Sequence, residues 1–280
     1  MLLYELLKNA TDRFTEAGFD CPDIEAAYML EEITGIRHNL LLFSRERILT
    51  AGELAKGEEY LARRLAHEPF QYICGWTQFR ELNLAVSPGC LIPRPETEYL
   101  VDLVLKKLPS GGHAVELGTG SGAIALSIAL ERKDSFVSAS ELSQEALAVA
   151  QKNLQRSHLA NVQLFQGDLF SPFEEKKQFD LLAANLPYIP YSAEKDLPRN
   201  VRDYEPGMAL FADHDGMALI ERALQDAPRY LKQGAYLFFE AGEDQGDALC
   251  AFAENCGHYT EIAFLPDQYG APRFLTCRLK

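Results

Sequence analysis

The stretch AVELGTGSGAIALSIAL, residues 114–130, limits the possible folds more than any other part of the chain. Four residues read as part of a buried strand, three glycines alternate, and an apolar run of helical length follows. Gly118, Gly120 and Gly122 let the backbone turn tightly and come close to a ligand. The N-terminus of the next helix offers free N–H groups at the same place. A strand feeding a helix through such a loop belongs to an α/β sheet with nucleotide-sized ligands at its strand ends.

The flanking sequence extends the pattern. After HAVEL come a helix from Ala123, the strand SFVSASEL, a helix from Gln144, and the strands VQLFQGD and FDLLAAN. A helix around Gly216 to Leu231, the strand AYLFFEA, a helix from Gln245 to Asn255, and closing strands near EIAFL and RFLTCRL complete it. Alternation of this kind predicts a doubly wound, mostly parallel sheet with helices on both faces. Residues 1–72 differ. Leu2, Leu3, Leu6 and Leu7 make one helical face, Ala27, Leu30 and Ile33 a second, and Thr50 with Glu53 reads as a capping box. A small helical bundle is expected there. Residues 73–95 are expected to be a β-hairpin linker, the strand-like texture beginning at Phe70. A helix follows over Glu96–Leu108, with Pro95 near its first turn, and residues 96–280 form the main domain.

Composition removes several classes of function. The net charge is −14, and neither the first 108 residues nor the remainder carries a basic excess. The densest cationic cluster is Arg63-Arg64, so no direct nucleic-acid partner is expected. No apolar run approaches the ~18 residues of a membrane helix. The N-terminus carries acids and a lysine too early for a signal peptide. The six cysteines (Cys21, Cys74, Cys90, Cys250, Cys256 and Cys277) lack C-x-x-C or metal spacing, which implies reduced thiols, no metal and a cytoplasmic protein. A monomer is expected.

Three acids follow strand ends. Glu141, in SASELS, is placed to accept from a ribose diol. Asp168, in QGDLF beside Leu169, can accept from an adenine amine or cap its own turn. Glu116 precedes the first glycine. The glycine loop by itself fits a nicotinamide dinucleotide as well as S-adenosylmethionine, because Gly118, Gly120 and Ala123 also satisfy the relaxed dinucleotide pattern. Glu116 favours the latter, since an acid there suits a ligand bearing an ammonium group better than one bearing a pyrophosphate.

FDLLAANLPYIP ends a buried strand with a polar amide, a proline and a tyrosine. Asn185 supplies a carbonyl acceptor at the mouth of the sheet. Pro187 holds Leu186 near extended geometry, aiming a backbone carbonyl at the same point. Two acceptors gripping one –NH2 group direct its nitrogen at an electrophile, and Tyr188 offers a flat face for a planar group. Amide and base nitrogens are poor nucleophiles, so alignment with a sulfonium methyl carries much of the rate.

The set ELGTGSG, SELS, GDLF and NLPY resembles the class I amino methyltransferases, whose last motif is usually Asn-Pro-Pro-Tyr. RRLAHEPFQYICGWTQF, LIPRPETEYLV and VRDYEPGMALFADHDG further resemble the release-factor glutamine methyltransferases, the HemK/PrmC family, over most of the chain from about Arg63. The resemblance implies a seven-stranded methyltransferase sheet and a helical N-terminal substrate-recognition domain. It implies methyl transfer from S-adenosyl-L-methionine to a glutamine side-chain amide in the Gly-Gly-Gln loop of class 1 peptide-chain release factors. Cofactor contacts carry over to Gly118 through Gly122, Glu141, Asp168, Leu169 and Asn185, and substrate contacts to Asn185, Leu186, Pro187 and Tyr188. Asn185, Pro187 and Tyr188 are the candidate catalytic set.

Leu186 departs from the usual proline, and NLPY also occurs in ribosomal RNA adenine dimethyltransferases. The alternative is therefore an adenine amino-methyltransferase acting on RNA or DNA. Those enzymes carry their helical extension at the other end and tend to be basic. A third reading is a nucleotide-binding interaction protein with a dead site. Arg94 and Glu96 of PRPETE are expected either to cover the cofactor or to pair with each other, and Glu205 to shape the substrate loop.

Overall fold

Leu3, Leu6, Ala10 and Phe14 form the buried stripe of helix α1 (Leu3–Glu16) in the computed structural model, which describes residues 1–280. The chain divides into two units, Met1–Cys74 and Gly75–Lys280. In the first, α1, α2 (Pro22–Thr34) and α3 (Ala51–Leu65) enclose a core that includes Met29, Leu30 and Leu61. The capping box of α3 is present: Glu53 N–H donates to Thr50 Oγ1 at 3.2 Å, and Thr50 N–H to the Glu53 carboxylate at 2.8 Å. This unit ends in a short helix, α4 (Phe70–Cys74), where the aromatic and β-branched texture predicts strand. Tertiary packing decides the matter, because Phe70 sits edge-on to both Tyr28 and Tyr60 with ring centroids 5.9 and 5.7 Å away.

The second unit begins with an antiparallel hairpin, β1 (Trp76–Phe79) and β2 (Leu82–Ala85), followed by α5 (Pro95–Lys107). Then come β3 (His113–Leu117), α6 (Ala123–Glu131), β4 (Phe136–Glu141), α7 (Gln144–Ser157), β5 (Val162–Gln166) and β6 (Phe179–Ala184). The short β7 (Ile189–Pro190), α8 (Arg199–Arg202) and β8 (Phe211–Ala212) precede α9 (Ala218–Asp226). The chain closes with β9 (Leu231–Glu240), α10 (Gly246–Asn255), β10 (Tyr259–Pro266) and β11 (Pro272–Leu279).

Seven strands form one sheet in the order β10-β11-β9-β6-β3-β4-β5. Strands β9 to β5 pair in parallel, while β11 runs antiparallel to both its neighbours. Val115 of β3 and Leu182 of β6 pack on one face, Ala114 and Leu181 on the other, each within a buried cluster. Burial on both faces explains why these strands read as continuous apolar runs. The chain winds outward from β3 through β4 to β5, then returns to β3's other side as β6. That reversal opens a crevice at the carboxyl ends of the central strands.

Candidate active site

The crevice is a cavity of about 1080 Å³ whose wall draws on the ends of β3, β4, β5 and β6. Of the residues proposed from sequence, Glu116, Gly118, Thr119, Gly120, Ser121, Glu141, Asp168, Leu169, Asn185, Leu186 and Pro187 all line it. Two do not. Gly122 faces away from it, and a Cβ there would meet Leu126 and Ala150 instead. Tyr188 borders a smaller neighbouring pocket of about 170 Å³, which shares Asn185 and Leu186 with the large cavity.

The glycine loop takes its shape from its backbone. Gly118, Gly120 and Gly122 have φ of 70°, 56° and 87°, a region that other residues enter only with strain. Gly120 N–H donates to one oxygen of Glu141 at 2.8 Å, and Ser143 N–H to the other at 2.8 Å. Glu141 is therefore held at the crevice rim with lone pairs to spare for hydroxyl donors. A Cβ at Gly118 would lie 2.9 Å from Leu186 Cδ2. The loop and the Asn-Leu-Pro-Tyr turn thus touch, with Leu186 buried between them.

Glu116 is fully buried at the cavity wall. One of its oxygens accepts from Thr119 Oγ1 at 2.6 Å and from Ala125 N–H at 2.9 Å. Burial raises its pKa to about 8 against those two bonds, and no basic side chain offsets the desolvation. Such a group gains from a cationic ligand. Asp168 pairs with Arg222 at 2.8 Å, and both line the cavity. Leu169, beside it, has φ of 48°, the left-handed conformation a leucine adopts only when its surroundings impose it.

Beyond the strand ends, the structure adds residues the sequence reading missed. Asn185 Nδ2 donates to Thr97 Oγ1 at 3.0 Å, and that hydroxyl donates to Glu240 Oε2 at 2.7 Å. Tyr188 OH donates to Glu240 Oε1 at 3.2 Å. Gln245 Nε2 bridges the Tyr188 and Asp215 carbonyls, each at 2.8 Å, with Gly216 (φ 85°) close against the former. An acid ending the run AYLFFE was the available signal for Glu240, of the same kind that marks Glu141. Arg94 does not pair with Glu96; it pairs with Glu205 at 2.7 Å. Within PRPETE, Pro93 and Thr97 reach the cavity wall.

A seven-stranded sheet, a glycine cradle and a fixed amide acceptor at the β6 end define a class I methyltransferase. Residues 5–75 match the PrmC N-terminal domain family, and residues 96–198 the methyltransferase small domain family. Over 259 residues the chain is 40% identical to the release factor glutamine methyltransferase of Vibrio cholerae serotype O1, covering 91% of this chain and 90% of that protein. The Moorella thermoacetica protein of the same name is 38% identical over 282 residues, covering 99% of both. A Pyrococcus furiosus methyltransferase crystal structure shares the fold, with a TM-score of 0.55 and 19% identity over 82% of this chain and 99% of that one. The chain belongs to the release factor glutamine methyltransferase family. No helix is long and apolar enough to cross a membrane.

Proposed function

We propose that the chain transfers a methyl group from S-adenosyl-L-methionine to the side-chain amide nitrogen of the glutamine in the Gly-Gly-Gln loop of class 1 peptide-chain release factors. The first unit serves as the substrate-recognition domain. Family membership supports this reading, and one observation carries it at the level of residues: Asn185 stands where the two cavities meet, with its Nδ2 already engaged by Thr97.

The cavity wall suits the cofactor. Glu116, buried with no basic partner, would take the ammonium group; Glu141 the ribose hydroxyls; Asp168, beside Leu169, the adenine amine. The glycines leave room along the loop that side chains would fill. When bound, S-adenosylmethionine supplies a methyl group activated by its sulfonium. The chain's own work is then positional. Asn185 Oδ1 and the Leu186 carbonyl accept the two hydrogens of the substrate –NH2. Pro187 stiffens that turn, and the half-buried Tyr188 holds it from behind through Glu240. Fixing the nitrogen in line with the methyl removes the orientational part of the barrier, with no general base acting first. The nitrogen takes the methyl as the methyl's bond to sulfur breaks, and one amide proton is then lost to water.

The test incubates the protein with methyl-labelled cofactor and either a class 1 release factor or total RNA. Label is expected in the release factor and absent once its Gly-Gly-Gln glutamine is replaced. Asn185→Ala is expected to abolish transfer while cofactor still binds. Label entering RNA, or undiminished turnover by Asn185→Ala, would contradict the reading.

A further inference from the structure

We propose that Thr97 and Glu240 are positioning residues that decide which end of the Asn185 amide faces the methyl acceptor. The proposal rests on the role of Asn185 given above and deepens it. An asparagine side chain is nearly symmetric in shape, yet one end accepts hydrogen bonds and the other donates. A site that must grip an –NH2 group needs the oxygen outward. Nothing within the Asn-Leu-Pro-Tyr turn sets this orientation.

The buried relay does. Glu240 is 1% exposed and Thr97 3% exposed. Both Glu240 oxygens serve as acceptors, one for the Thr97 hydroxyl and one for that of Tyr188. Burial raises the Glu240 pKa, and these two bonds together with the charge of Arg273 oppose the rise. Thr97 has a single hydroxyl hydrogen. Committed to Glu240, it leaves only a lone pair toward Asn185, which must turn its Nδ2 inward. Oδ1 is thereby presented to the acceptor. The same polarity discriminates between substrates: an acceptor presenting –NH2 is gripped, and one presenting a carbonyl oxygen is repelled.

The experiment compares Thr97→Val, Thr97→Ser and Asn185→Ala for kcat, for KM toward the release factor, and for cofactor binding by calorimetry. Loss of a charge-linked hydrogen-bond relay is expected to lower kcat about 10- to 100-fold in Thr97→Val. Cofactor affinity should stay within roughly threefold, since no bond to the cofactor is removed. Thr97→Ser, which keeps the hydroxyl, should return kcat to within about threefold of the parent. A purely structural role would instead lower melting temperature, cofactor affinity and kcat together, and serine would not separate them. If Asn185→Ala is inactive while Thr97→Val keeps kcat within about twofold, the relay is wrong and the reading of Asn185 stands. If Asn185→Ala is fully active, both fall. Should Thr97→Val fail to fold, the wild-type protein answers the question by NMR. The Asn185 side-chain NH2 protons, assigned by their loss in Asn185→Ala, should exchange with water at least about tenfold more slowly than those of exposed asparagines. Unprotected exchange overturns the proposal.

Discussion

The buried carboxylate of Glu205 accepts from the Arg94 guanidinium at 2.7 Å and from the Ile92 amide at 3.2 Å. These bonds tie the segment before α5 to the loop before β8, and both segments line the cavity. Burial raises the Glu205 pKa despite these partners. Arg94→Ala therefore strands a buried charge, at a cost of about 3–5 kcal/mol at pH 8. Glu205→Ala leaves an arginine that can reach water and should cost less, about 1–3 kcal/mol. A carboxyl with raised pKa favours folding most when protonated. The Arg94→Ala deficit should accordingly shrink toward pH 5, while that of Glu205→Ala should not. Urea denaturation at the two pH values checks the asymmetry.

Glu116 makes cofactor binding depend on pH. Its folded pKa of about 8 lies above the ordinary 4.5, so its contribution to stability is complete below 4.5 and is lost as pH rises toward 8. A bound ammonium group reverses this preference by favouring the ionised form. Cofactor affinity should rise about tenfold per pH unit below roughly 8 and then flatten, with one proton released on binding. Calorimetry in buffers of differing ionisation enthalpy counts that proton. Glu116→Gln should bind more weakly above pH 8 and lose the slope.

Gly118→Ala meets two obstacles: φ of 70° and Leu186 Cδ2 at 2.9 Å. Strain of about 1–2 kcal/mol in the loop should weaken cofactor binding about tenfold or more. Adding Leu186→Ala relieves the clash but not the backbone strain, so affinity should recover in part. No recovery would mean that the two segments are not in contact.

Asn153, buried on α7, holds three backbone groups: Ala85 N–H at 2.7 Å, Ala85 C=O at 3.0 Å and Ser121 C=O at 2.8 Å. It thereby joins the hairpin to the glycine loop. Asn153→Ala should cost about 2–4 kcal/mol and speed amide exchange at Ala85. Intact protection there would show that the hairpin holds itself.

Much of this protein was written locally. Period-two and period-3.6 patterns, the alternating glycines and the acids after β4 and β5 each sit within a few residues of what they specify. They determined the sheet and the part of the cavity wall at the strand ends, along with the Thr50–Glu53 cap. Where local propensity met tertiary packing, packing won, as in the helix at Phe70–Cys74. What only the tertiary structure decided are pairings across distance: Asn185 with Thr97, 88 residues apart; Thr97 with Glu240, 143 apart; Arg94 with Glu205, 111 apart. A buried polar group must find a partner, but its own neighbourhood in the chain does not say which. That choice is made by the winding of the sheet, which brings the end of β9, the first turn of α5 and the turn after β6 to one place.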